Sequence, residues 1–359
     1  MNELTHVPAD LAQRAGRLGV SQDALQLLDA SDLIDLHVDT YIPVRLWRYD
    51  VTTRHDTGLL RGHFFGHLDV PRLRDCAVDG AMWSITTNPF RSAAARWQTY
   101  CRNRARLQAM VEASGDQLRF VRDVGEYRAA RAAGSHAVLL AIQGGNALQA
   151  APDLHAALAQ DRLLTRVTLV HLTDSAYGPT SSPLSLRRGA GLSQAGRTLV
   201  EALNAHRVFV DLAHIRPKAF WDAVAVHDRS QPLLATHTGV SGVTPHWRNL
   251  DDKQLRAIAD TDGVVGIIFA ANFLRRRGGP SGAEMVVEHL DHVIATVGEA
   301  HVGIGSDYDG AIVPPAGMRN GLGYGQLVQA MLARKWTPER IARVLGGNAL
   351  RALAVLRPA

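Results

Sequence analysis

Cysteine is nearly absent from this chain: Cys76 and Cys101 are the only two in 359 residues. Two such distant thiols make neither a disulfide framework nor a CxxC metal knuckle, so both read as ordinary side chains. Lysine is scarcer than the charge balance suggests. Lys218, Lys253 and Lys335 are the only ones, and the net charge of +5 therefore rests on arginine. Those arginines are interspersed with acids along helical stretches, and the one dense run, "LRRRGG" at 274–279, has no aromatic platform beside it. That pattern argues against a nucleic-acid partner. The longest apolar run, "GVVGIIFAANF", is too short to span a bilayer, and "MNELTHVPADLAQRAGR" lacks the basic and apolar segments of a secretory signal. The expectation is a cytoplasmic protein without a membrane partner. No Gly-rich phosphate loop follows the first apolar segment, and no repeat or linker divides the chain.

What is present is an alternation of short apolar strands with amphipathic helical stretches. Eight strand candidates can be read: "DLIDLHVD", "VDGAMWSIT", "HAVLLAIQ", "LTRVTLVHL", "RVFVDLAH", "PLLATHT", "GVVGIIF" and "HVGIGSDYD". Between them lie helix patterns such as "SAAARWQTYCRNRARLQAMVEAS", "SQAGRTLVEALNAH" and "DDKQLRAIADT", each opening on a Ser or Asp suited to cap it. Eight strands with interleaved helices predict an α/β fold, a (β/α)₈ TIM barrel, as one domain over residues 1–359. Additional helices are expected in an N-terminal segment, 1–30, and at the C-terminus, 322–359. A doubly wound open sheet is the alternative, and the missing phosphate loop speaks against it.

The polar residues closing these strands are the chemical signal. His37 and Asp39 end the first, Gln143 the third, His171 the fourth, His214 the fifth, His237 the sixth and Asp307 the eighth. Parallel strands of a barrel all point one way, so these side chains converge on its carboxyl-terminal face. Imidazoles and carboxylates together form the donor set that Zn²⁺ prefers. His63 and His67 have i,i+4 spacing but lie in a Gly-rich segment, His289 and His292 read as packing or surface residues, and Asp309 and Gly310 read as loop formers. "AVLLAIQGGNAL" poses a question of its own. A buried strand ends on a neutral amide, and Gly144 and Gly145 leave room for something to approach the backbone.

In this order, "DLHVDT", "LDVPRLRDCAVDGAMWS", "QGGNAL", "VTLVHLT", "GLSQAGRTLVEALNAHRVFVDLAH", "THTGV", "RNLDD" and "VGIGSDYDG" make the sequence similar to the renal (membrane) dipeptidase family of zinc peptidases, which have amidohydrolase-like barrels. The resemblance runs from about Leu33 to about Leu353. It implies one metal held by His37, Asp39 and Asp307, a second by His214 and His237, and a carboxylate bridging the two. It further implies that His171 polarises the scissile carbonyl, that Arg248 grips the substrate's terminal carboxylate, and that Asp307 carries a proton to the leaving amine. The activity implied is hydrolysis of a small amide, a dipeptide first of all, by a metal-activated water, in a homodimer.

Gln143 stands where that family has its bridging Glu. An amide offers one neutral oxygen in place of two anionic ones, so Zn²⁺ is expected at one or two ions per chain with weaker binding, a single ion staying on His37, Asp39 and Asp307 with help from an imidazole. Lys218 lies past the fifth strand and cannot replace the bridge. Leu172, after His171, is a second departure and bears on the substrate pocket. Two other readings follow: an impaired barrel that binds a peptide or a biosynthetic intermediate, and a related hydrolase acting on a non-peptide amide or lactam.

Overall fold

The computed structural model describes residues 7–55 and 62–358. Its strands are β1 (Ile34–Val38), β2 (Gly80–Thr86), β3 (Leu118–Phe120), β4 (His136–Gln143), β5 (Leu164–Thr168), β6 (Phe209–Asp211), β7 (Leu234–Thr238), β8 (Val264–Ile267) and β9 (Val302–Ile304). Every pairing is parallel. The ladder β1-β2-β4-β5-β6-β7-β8-β9 returns to β1 through Asp35 opposite Ile304, which closes an eight-stranded barrel. These eight are the strands read from the sequence, and the (β/α)₈ barrel is the fold.

Strand β3 was not anticipated. It is three residues long and pairs with His136 to Val138 of β4, on the edge that β5 takes over from Leu140 onward. A segment so short carries no usable periodicity. The barrel strands are buried at every position, as a parallel sheet covered by helices must be.

The helices begin where the capping residues stand. Ser92 Oγ accepts from Ala95 N at 3.2 Å at the head of Ala93–Ala113, and Ser193 Oγ accepts from Gly196 N at 3.0 Å at the head of Gln194–Ala205. Asp251 and Gln254 form a reciprocal capping box on Asp252–Ala259, with bonds of 2.9 and 3.0 Å. The expected terminal helices are present. Val7–Leu18 and Gln22–Ala30 dock on Gly323–Ala333, where Ser21 N donates to Gln329 Oε1 at 2.8 Å and Gln326 Nε2 donates to Leu18 O at 2.9 Å. Past the last helix, Asn348–Leu356, Arg357 donates to Leu164 O at 2.6 Å and to Arg207 O at 3.0 Å, fastening the chain end across the starts of β5 and β6.

Helix Glu284–Val297 fixes the loop that leaves β7. His289 on this helix is fully buried; its Nδ1 accepts from Val240 N at 2.9 Å and its Nε2 donates to Leu274 O at 3.0 Å. It is a packing residue, one of the two roles the sequence allowed. Burial pushes its pKa down from 6.5 to about 4. The unfolded chain therefore takes a proton first as pH falls. Stability from this site is complete above pH 6.5 and is lost progressively toward pH 4. Chemical denaturation at pH 7 and pH 5 should show the wild type losing about 2 kcal/mol more than His289→Gln over that interval. Equal losses would mean that His289 is not held neutral by the fold.

Candidate active site

Barrel closure brings the residues together. Beyond the ends of β1 and β9 the two chains stay in register: Asp307 N donates to His37 O at 3.0 Å, and Asp39 N donates to Tyr308 O at 2.8 Å. His37 Nε2 consequently lies 3.4 Å from Asp307 Oδ1 and 3.6 Å from Asp39 Oδ1. His237, on β7, stacks its ring on His37 at 3.8 Å between centroids. Its Nε2 is 2.8 Å from His214 Nε2, and the His171 ring meets His214 edge-on at 4.7 Å. His37, His237 and Asp307 each place one donor atom within 4.8 Å of the others. Asp39, Gln143, His214 and Arg248 are buried as well, whereas Leu172 beside His171 is 51% exposed and marks the rim.

Gln143 lies in the middle of this group, and its neighbours orient its amide. With the NH₂ toward Asp39 it donates to Oδ2 at 2.9 Å and Oδ1 at 3.2 Å, while its carbonyl oxygen accepts from His37 Nε2 at 3.2 Å; the reverse would set acceptor against acceptor. The same carbonyl oxygen then lies 3.4 Å from His214 Nε2 and 3.5 Å from His237 Nε2.

Beneath these side chains runs a buried polar network that the sequence reading missed. Arg166, fully buried on β5, donates to Asp211 Oδ2 at 3.1 Å, to Ser84 Oγ at 2.7 Å and to His37 Nδ1 at 2.9 Å. Asp211 also accepts from Thr168 Oγ1 at 2.6 Å and Thr236 Oγ1 at 2.8 Å, and Thr236 Oγ1 lies 2.8 Å from His237 Nδ1. The one available signal was an arginine inside an apolar strand, "LTRVT", since a buried charge is more informative than a buried leucine.

Burial governs the titration of the cluster. It pushes Asp39 up to about 8 and Asp307 up to about 6, and it pushes His171 down to about 3. His37, His214 and His237 are lowered too, by burial first; Arg248 adds to the effect at His214 and His237, while Asp307 opposes it at His37. Asp211 goes the other way: burial would raise it, but Arg166 and its hydrogen bonds hold it below the usual carboxylate range. The imidazoles are thus neutral, the form in which a histidine nitrogen can serve as a ligand. Among the described residues, the nearest partner of the buried Asp307 Oδ1 is His37 Nε2 at a long 3.4 Å, and the buried Nη2 of Arg248, a guanidinium that burial lowers to about 10, has no hydrogen bond. The first suits a cation and the second an anion.

Two sequence expectations need correcting. His171, His214 and Asp307 do not end their strands; each stands three residues past the end of β5, β6 or β9, on the loop that follows. His214 and Asp307 also have left-handed backbone, φ 64° and 61°. At Gly144 and Gly145 what approaches the backbone is the protein itself. A Cβ on Gly144, at φ 97°, would fall 2.9 Å from Asn146 Oδ1, and one on Gly145 would fall 2.8 Å from Leu199 Cδ2. His67 is no candidate ligand, because Nδ1 accepts from Asp309 N at 2.8 Å and Nε2 faces Gly62 O at 3.1 Å. Asp309 shapes more than its own loop, accepting from Gly66 N, His67 N and Thr40 Oγ1.

Solved structures share this architecture. The metallopeptidase dipeptidase AC of family M19 is 28% identical, with a TM-score of 0.80 over 92% of this chain and 99% of that one. A metallopeptidase from Rhodobacter sphaeroides, solved with a phosphinate mimic of L-Ala-D-Ala, is 28% identical with a TM-score of 0.79 over 92% of this chain and 100% of that one. The probable dipeptidase PvdM from Pseudomonas aeruginosa, 19% identical with a TM-score of 0.81 over 93% of this chain and 98% of that one, shares the fold. Among curated sequences, an uncharacterized protein in the pqqA 5′ region of Klebsiella pneumoniae is 38% identical over 176 residues, which are 48% of this chain and 64% of that protein. The chain thus spans less than two thirds of that relative's length. Residues 21–357 match the family profile described as Membrane dipeptidase (Peptidase family M19), and the chain belongs to that family.

Proposed function

We propose that this protein hydrolyses a small amide, first of all a dipeptide, at the mouth of the barrel, with a divalent cation as cofactor. One observation carries the reading: two buried atoms of opposite preference, Asp307 Oδ1 and Arg248 Nη2, occur at one cluster of neutral imidazoles and carboxylates, where the Arg248 charge acts on His171, His214, His237 and Asp307. A dipeptide brings the complementary groups, a terminal carboxylate for Arg248 and an amide for the cluster. Family membership and the dipeptide mimic held by the Rhodobacter relative support the substrate class.

A cation bound among the imidazoles and carboxylates, zinc by donor type, supplies Lewis acidity toward a carbonyl oxygen or a water. The chain's own residues do the rest. Arg248 anchors the substrate carboxylate and thereby sets which amide faces the cluster. His171, neutral because it is desolvated, donates a hydrogen bond to the carbonyl oxygen as it gains charge. Asp307, with a pKa raised to about 6, accepts a proton from the attacking water and passes it to the departing amine.

Gln143 supports a second reading, a barrel that binds a peptide without cleaving it. Gln143→Glu separates the two: unchanged cleavage together with intact peptide affinity in the wild type favours binding alone.

Purified protein is expected to contain a divalent metal and to release amino acids from a dipeptide panel. A chelator should abolish the activity and Zn²⁺ should restore it; a protein with neither metal nor hydrolysis refutes the proposal. Arg248→Met should raise KM for dipeptides by about 100-fold, the loss of a bidentate charge-assisted contact, and leave amides without a free carboxylate unaffected. Equal effects on both substrate types would show that Arg248 does not read the carboxylate.

A further inference from the structure

We infer that the barrel mouth holds one cation rather than two, on the carbonyl oxygen of Gln143, His214 and His237, and that Arg166 keeps His37 out of the ligand set. This rests on the metal-dependent reading above.

The argument follows protons. Arginine can only donate, so the 2.9 Å contact from Arg166 Nη2 obliges His37 Nδ1 to accept. The neutral ring then carries its proton on Nε2, the atom that faces the site. That N–H points at the Gln143 oxygen, 3.2 Å away, and cannot also offer a lone pair. His237 is set the opposite way. The hydroxyl of Thr236 has a single proton and gives it to the Asp211 carboxylate, so the hydroxyl oxygen accepts from His237 Nδ1. His237 Nε2 is left bare, as a metal ligand requires. At 2.8 Å from His214 Nε2, two lone pairs could not face each other without a proton or a cation between them.

Distances select the third ligand. Donors bound tetrahedrally at the usual zinc–nitrogen or zinc–oxygen lengths stand about 3.3 Å apart. The Gln143 oxygen, His214 Nε2 and His237 Nε2 are separated by 2.8, 3.4 and 3.5 Å, and they leave a fourth position for water or substrate. The spacing of His37, His237 and Asp307 would also admit an ion, but the proton on His37 Nε2 excludes that set. Asp39, which would serve a second ion, is instead closed by the two bonds from the Gln143 NH₂. The amide thus acts at both ends, as a neutral ligand on one side and a cap on the other.

The test uses the full-length wild type, loaded with Zn²⁺ and dialysed. Elemental analysis should count one ion per chain. Nitrogen NMR of the histidine rings should show His37 protonated on Nε2 with and without zinc, while Nε2 of His214 and His237 shifts on loading. In Arg166→Met combined with Ser84→Ala, which removes both possible donors to Nδ1, the His37 proton should move to Nδ1, which a purely structural role for Arg166 would not produce. If that variant does not fold, the wild-type spectra decide alone. Two ions per chain, a zinc-shifted His37 Nε2, or a His37 proton unmoved in the folded double variant overturns the inference and leaves the hydrolase reading standing. No bound ion removes both, and one ion without any cleavage removes only the hydrolase.

Discussion

The contact on which the site depends is the buried pair between Arg166 and Asp211, 3.1 Å apart and both fully enclosed. Such a pair adds little net stability, because desolvating two charges offsets most of their attraction, yet removing one partner strands the other at a cost of about 3–5 kcal/mol. Its worth here is directional. Asp211 gathers the guanidinium and the hydroxyls of Thr168 and Thr236, while Arg166 reaches across the barrel to Ser84 and His37. Residues from β2, β5, β6 and β7, with His37 on β1, share one hydrogen-bond system, and that system fixes which nitrogen of His37 and of His237 carries the proton.

Above this floor the site is assembled by loops. The registers that close β1 on β9 continue past the strands through backbone bonds, so Asp307 reaches His37 without belonging to a strand. Left-handed φ at His214 and Asp307 is unfavourable for residues with a Cβ, and it persists because the surrounding barrel over-determines it. Rigid strands with strained loops at their carboxyl ends are how this fold separates stability from chemistry.

Most of this was legible in the sequence for a physical reason. Strands buried on both faces read as apolar runs, and the three helices that open on Ser92, Ser193 and Asp251 begin where a side-chain oxygen can satisfy a free N–H. His37, Asp39, Gln143, His214, His237 and Asp307 could be collected because parallel strands share one direction. What escaped was information held in tertiary contacts. Nothing local shows that Arg166 turns inward and meets His37, 129 residues away. Nor could spacing show that Gly144 and Gly145 accommodate Asn146 and Leu199 rather than a ligand, or that His171, His214 and Asp307 would stand three residues beyond their strands.

Charge balance ties the amide to the arginine. When ionised, Asp39, Asp211 and Asp307 oppose Arg166 and Arg248, leaving a single negative charge among neutral imidazoles. One dication converts that to a single positive charge, which a substrate carboxylate at Arg248 can meet. A second dication would leave three positive charges in a space with little water, where Coulomb energies are several times those in solution. A glutamate at position 143 would relieve that excess by one charge, and a neutral residue at 166 by another. The residues present do neither: each shifts the cluster by one unit toward positive. Gln143 and Arg166 therefore act in the same direction, and together they suit the mouth of this barrel to one cation.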